Sequence, residues 1–206
     1  MNTAVNIAVL VSGGGTNLQA LLDAQQNGTL HSGRITLVIS NKKDAYALTR
    51  AEKAGIPTLT LTRRECGGQA GFEQALCAAL EEHHIDLILL AGFLSILSPD
   101  FTRRYDRRIL NIHPSLIPAF CGQGYYGLRV HEAALERGVR LTGATVHFVN
   151  EIPDGGAILL QKAVPVLPGD TPEILQRRVM EQAEWILFPQ AAEQVSAELL
   201  KGKQGN

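Results

Sequence analysis

The chain has few cysteines and no cysteine pattern. It has three in 206 residues, Cys66, Cys77 and Cys121. That odd, scattered set makes neither a disulfide framework nor a CxxC pair, and it predicts a reducing, cytoplasmic setting. An excess of one charge is also missing. Nineteen Lys and Arg stand against 20 Asp and Glu, a net charge of -1. This excludes attachment to nucleic acid or anionic membrane by overall charge alone. No apolar run approaches the roughly 18 residues of a membrane span. The first apolar run, Val5–Val11, lacks a basic start and breaks at Ser12-Gly13-Gly14-Gly15, so no signal peptide is expected. Repeats are absent, and the one low-complexity piece is the polar tail Lys201–Asn206. What is present is ordinary for a globular protein: 45% hydrophobic and 19% charged residues. The length fits a single domain over 1–200, with a core that needs no disulfide or metal.

Strand and helix patterns alternate along the chain. Val5–Val11 is an apolar run, broken only by Asn6, as in a strand buried on both faces. Asn17–Ala24 reads as a helix that Thr16 or Asn17 would cap. Ile35–Ser40 is the next strand, and Ala45–Ala54 a helix stopped by Gly55. Thr58–Leu61 is a short strand. Phe72–His83 is a helix with apolar residues at 72, 75, 76, 79 and 80. Ile85–Leu90 and Ile109–Ile112 are further strands. This rhythm predicts an α/β fold: a mostly parallel twisted sheet with helices on both faces. After Gly138, Thr142–Asn150 and Ile158–Val166 alternate more, as in an antiparallel hairpin. Pro172–Leu200 is then one long helix or two, with a break expected near Pro189.

Open parallel sheets bind ligands beyond the carboxyl ends of their strands. Three segments fall there: 12–17, 92–98 and 111–115. In Ser12–Asn17, glycines let backbone N–H groups approach a ligand, and the following helix start favours an anion such as phosphate. No Lys-Ser/Thr ends it, so it is not a P-loop. Leu18 stands where a dinucleotide fingerprint wants glycine. Asn111 and His113 are two apart on a strand, so both side chains share one face. An amide beside an imidazole suits reaction at a carbonyl. Asn111 can donate to a developing oxyanion, and His113 can move a proton near neutral pH. Asp154-Gly155-Gly156 is a turn signal. An Asp brought against His113 would raise its pKa, but spacing alone does not bring them together. His147 is a further candidate, with an ordinary core or surface role as the simpler reading.

Other features read more plainly. His83-His84 suits a helix end. Cys77 packs, and Cys121 has no evident base. Arg103, Arg104, Arg107 and Arg108 flank Asp106 as solvated charge. The three glycines of Phe120–Leu128 suggest a mobile segment over the site.

Taken together, Ser12–Asn17, Leu90–Leu97, Asn111-Ile112-His113-Pro114-Ser115-Leu116-Ile117-Pro118, Gly143–Val149 and Asp154-Gly155-Gly156 resemble the phosphoribosylglycinamide formyltransferase family. The likeness runs from about Val5 to Pro189. It implies a Rossmann-like formyltransferase fold ending in an antiparallel hairpin and long helix. It also implies transfer of a formyl group from 10-formyltetrahydrofolate, the cosubstrate, to the amine of glycinamide ribonucleotide in de novo purine synthesis. Asn111, His113 and Asp154 match the catalytic trio. Gly15, Thr16 and Asn17 match the ribonucleotide phosphate loop. Leu94, Ser95, Ile96 and Leu97, with Asn111, match the folate site. The resemblance calls for no metal, nucleic acid or membrane, and leaves oligomeric state open.

Several positions depart from the family pattern. Ser95 and Gln69 stand where members carry Arg, with Arg63 or Arg64 as substitutes near the folate tail. Met180 replaces a Gln near the substrate phosphate. Glu184 matches an acid that meets the ribonucleotide amine, but with a one-residue offset. The alternatives are other users of 10-formyltetrahydrofolate, or a phosphate-binding module with no chemistry. Methionyl-tRNA formyltransferase adds a C-terminal RNA-binding domain, and formyltetrahydrofolate deformylase an N-terminal regulatory one. Neither addition is expected in this chain.

Overall fold

The computed structural model describes residues 4–204. In the first strand, β1 (Val5–Val11), odd and even residues are both apolar because both faces are covered. Ile7, Val9 and Val11 join one core, and Ala8 and Leu10 another. There follow α1 (Thr16–Gln26), β2 (Gly33–Ser40), α2 (Tyr46–Lys53), β3 (Thr58–Thr60), α3 (Gln69–Glu82), β4 (Leu87–Leu90), α4 (Pro99–Arg104) and β5 (Ile109–His113). The chain continues through α5 (Leu128–Arg137), β6 (Leu141–Phe148), β7 (Ile158–Pro165), α6 (Pro172–Val179), a π turn (Met180–Glu184) and α7 (Trp185–Gln204). The sheet order is β3-β2-β1-β4-β5-β6-β7. β1 to β5 are parallel, and β6 and β7 add antiparallel. The order reverses between β1 and β4, so the loops leaving those strands diverge and open a crevice.

The larger core lies under α1, α2, α5, α6 and α7. The smaller one lies under α3 and α4, and on β5 it reaches only Ile109. Beyond Ile109, that face of β5 and β6 carries Asn111, His113, Thr145 and His147 instead of apolar side chains. The functional candidates therefore sit where the second helical layer stops.

The structure departs from the sequence expectations in four places. First, α4 and α5 have no counterpart among the expected elements. Ser98 caps α4, accepting from Phe101 N–H at 3.2 Å with Pro99 in the first turn, and α5 ends at left-handed Gly138. Second, neither Thr16 nor Asn17 caps α1; the N-cap is Gly15, without a side-chain bond. Third, the C-terminal break is not at Pro189, which lies inside α7. Pro189 has no N–H to give the preceding turn. The irregularity sits upstream of it, in the π turn, which holds an extra residue relative to an α-turn. Fourth, Lys201–Gln204 continue α7, so the helix does not stop at 200. Residues 205–206 lie outside the described residues. Among the described residues, no helix is long and apolar enough to cross a membrane.

Candidate active site

β5 and β6 set the site by their register. Asn111 faces His147 across the pair, and His113 faces Thr145. Asp154 arrives on the link between β6 and β7, in a left-handed conformation (φ +56°) that Asp tolerates better than most residues. Gly156 makes the return possible, because a Cβ there would collide with the Phe148 carbonyl.

Four side chains then meet. Asp154 Oδ2 lies 3.5 Å from His113 Nδ1, and Oδ1 lies 3.5 Å from His147 Nε2. Asn111 Nδ2 is 3.1 Å from His147 Nε2 and 3.4 Å from Asp154 Oδ1. His147 Nδ1 faces the Phe148 carbonyl at 2.9 Å, and a carbonyl can only accept. With its proton on Nδ1 alone, His147 presents Nε2 as an acceptor to the Asn111 amide; a second proton, on Nε2, would instead be donated to Asp154 Oδ1. The sequence left His147 with a plain reading because its place depends on strand register.

Backbone groups of the following loop complete the cluster. His113 Nε2 lies 2.9 Å from the Phe120 carbonyl, and Gly122 N–H donates to Asp154 Oδ2 at 2.8 Å. Both ring nitrogens of His113 thus face acceptors, which favours the charged ring. Burial works the other way and prevails. It holds the His113 pKa below its ordinary value, although Asp154 and the Phe120 carbonyl both push it up. The expected sign of the Asp154 contribution is therefore present, but the expected net rise is not. Burial would raise the Asp154 carboxyl; the His147 contact, the His113 charge and the Gly122 N–H outweigh it and hold the pKa below normal.

Asn111, His113 and Asp154 open onto a cavity of about 520 Å³ that also takes in Gly92–Ile96 and Gly122–Gly127. Leu94 and Ile96 are exposed there, whereas Leu97 turns into the smaller core. Leu94 N–H donates to Ser12 Oγ at 2.9 Å, tying this segment to the glycine loop. Ser95 Oγ accepts from Asn41 Nδ2 at 2.7 Å. Gln69 and Arg63 both donate to the Ile96 carbonyl, at 3.2 and 3.0 Å.

Gly15, Thr16 and Asn17 form a second cluster at the start of α1. Asn17 Nδ2 donates to Glu184 Oε2 at 2.7 Å. Glu184 is buried, and burial pushes its pKa up to about 7 against the pull of that bond. The π turn ends at Glu184, which places this side chain against Asn17 at the start of α1. Met180, which starts the turn, brings no hydrogen-bonding group. Cys121 Sγ donates to the Pro118 carbonyl at 3.3 Å, and burial raises its pKa, so it is no ready nucleophile.

A family model described as formyl transferase matches residues 5–191. The chain belongs to the formyl transferase family. Among relatives, it is 46% identical to phosphoribosylglycinamide formyltransferase of Haemophilus influenzae, over 89% of this chain and 83% of that one. It is 47% identical to the trifunctional purine biosynthetic protein adenosine-3 of Gallus gallus, over 94% of this chain but only 18% of that protein's length. Among solved structures, glycinamide ribonucleotide transformylase 1 from Symbiobacterium toebii superposes with a TM-score of 0.89 at 41% identity. That match covers 96% of this chain and 90% of the other. A formyl transferase family member thus has its cluster of Asn111, His113, His147 and Asp154 where β5 and β6 leave the second helical layer.

Proposed function

We propose that the chain transfers a formyl group from 10-formyltetrahydrofolate to the amine of glycinamide ribonucleotide, a step of purine biosynthesis. The observation that carries this is the meeting of Asn111, His113 and Asp154 at the wall of the 520 Å³ cavity. The relatives' names support it. The residues fit a folate: Leu94 and Ile96 offer apolar cover, and backbone groups of 92–96 other than the engaged Leu94 N–H and Ile96 C=O can meet a polar ring. Gly15, Thr16 and Asn17 would take the phosphate, Leu94–Leu97 and Asn111 the folate, and Glu184 the substrate amine. We place the reaction in the cytoplasm, with small-molecule substrates.

The folate supplies an activated formamide carbonyl. Attack by the amine moves negative charge onto the formyl oxygen. His113, protonated, would donate to that oxygen; it must first leave the Phe120 carbonyl or use the nitrogen facing Asp154. Asn111 would donate as well. Both its amide hydrogens are engaged, so the longer 3.4 Å contact to Asp154 is the one to yield. Asp154 then stabilises the charged imidazole and helps carry the proton from the amine to the departing nitrogen, directly or through water.

Formyl transfer measured with and without glycinamide ribonucleotide tests this reading. Transfer that requires the ribonucleotide is expected. Formate released at the same rate without it would identify a deformylase instead.

A further inference from the structure

Helix α2 grips the glycine loop from one side. Ala47 N–H donates to the Gly13 carbonyl at 3.0 Å, and Arg50 Nε donates to the Gly14 carbonyl at 2.8 Å. Gly15 has φ +73°, and a Cβ there would sit 2.6 Å from Ala47 Cβ. Ala47 and Arg50 are three residues apart and share one helix face. In a trans peptide the C=O and the following N–H point opposite ways. Turning the Gly13 and Gly14 carbonyls toward α2 therefore turns the Gly14 and Gly15 N–H groups away from it. They lead directly into the first N–H groups of α1, which have no intrahelical acceptor. Successive N–H groups aimed this way make an anion-binding concavity. Arg50 also donates through a terminal nitrogen to Gln19 Oε1 at 2.9 Å, and its guanidinium lies 5.1 Å from the Tyr46 ring centroid. One side chain thus ties the loop to α1 and α2 and leaves a positive charge behind the loop.

We propose that Arg50 is a positioning residue for the phosphate end of the ribonucleotide, holding the Gly14–Gly15 peptide so that the loop N–H groups face the phosphate. This deepens the reading above and rests on its assignment of the phosphate to this loop. The loop backbone touches the phosphate; Arg50 acts through Gly14. A lysine has a single nitrogen and cannot hold Gly14 and Gln19 in one rigid fork.

The test compares wild type, Arg50→Met and Arg50→Lys. Kinetics are run with both substrates. Calorimetric titrations use glycinamide ribonucleotide, its dephosphorylated nucleoside and ribose 5-phosphate. Arg50→Met should raise the KM and Kd for the phosphorylated compounds by about tenfold or more, the scale of one charge-assisted hydrogen bond. The folate KM, kcat and nucleoside affinity should stay within about twofold. Arg50→Lys should fall between wild type and Arg50→Met. Equal losses for phosphorylated and dephosphorylated compounds, or no loss at all, would overturn the proposal. If Arg50→Met lowers Tm sharply, Gln19→Ala decides: it removes one arm of the fork and should weaken only the phosphorylated compounds. No selective weakening there also overturns the proposal. A wild type that binds ribose 5-phosphate but does not formylate the ribonucleotide would sink the proposed function and leave the titrations to judge Arg50.

Discussion

His113 and Asp154 face each other at 3.5 Å, nitrogen Nδ1 to oxygen Oδ2, although 41 positions of sequence separate them. The carboxylate is held ionised and favours a proton on the ring, while burial opposes that proton. The two residues should therefore behave as one unit. His113→Ala should cost roughly 10²–10⁴ in rate, the range for a lost acid–base group. Asp154→Asn keeps the shape but removes the charge, so the His113 pKa should drop further in an NMR titration. The double variant should be little slower than the worse single one. Multiplicative losses, or an unmoved His113 pKa, would mean that the two residues act independently.

The loop before α5 occupies the catalytic groups with its own backbone, Phe120 C=O on His113 and Gly122 N–H on Asp154. Phe120 holds φ +49°, a costly conformation for a non-glycine residue. Such a segment should be displaced or reset when substrates bind. Hydrogen exchange across Phe120–Leu128 should slow when both substrates or stable analogues are added. Exchange that ignores both ligands would show that the loop is a fixed wall rather than a lid.

His131 on α5 is fully buried, and neither ring nitrogen has a hydrogen-bond partner among the described residues. Burial, with a smaller push from His113, lowers its pKa to about 4. The unfolded chain takes up this proton near pH 6.5, and the folded chain only near 4. Stability is therefore whole above 6.5 and falls as pH drops through that window, by up to about 3 kcal/mol for this group. His131→Leu should be closest to wild type at pH 7 and should gain on it at pH 5, read from urea midpoints. Parallel pH profiles would show that His131 finds a partner on protonation.

The parts legible in the sequence are those set by local pattern. β1 reads directly because six of its seven residues are apolar and they fall on both faces, with Asn6 the one polar position. Asn111 and His113 read as one face because strands alternate side chains. Long-range placement was not legible. Nothing near Asp154 says that it lands on His113; that follows from the β6–β7 link and the backbone room at Gly156. His147 becomes a site residue only once the β5–β6 register is fixed. α5 is faint in the sequence because its few buried residues, Val130, His131 and Ala134, follow a glycine-rich loop and give a weak stripe. The break before α7 is hidden in the sequence because Pro189 is a louder signal than the π turn upstream of it.

Glu184 shows how much that turn matters. It is buried, its one hydrogen bond comes from Asn17 at 2.7 Å, and burial pushes its pKa up to about 7. An unfolded glutamate titrates near its ordinary 4.5. The folded state therefore holds the proton more tightly, and stability falls as pH rises from 4.5 through about 7. Glu184→Gln keeps the volume and an acceptor for Asn17 but cannot ionise. At pH 5 the variant and wild type should unfold at similar urea concentrations. At pH 8 the variant should be the more stable. The same substitution separates this effect from function. If Glu184 meets the substrate amine, the variant's ribonucleotide KM should rise while its folate KM holds. Stability profiles that stay parallel from pH 5 to 8 would show that Glu184 ionises freely in the folded protein. The neutral, buried acid would then be the wrong description, and the π turn would have to open to let water reach it.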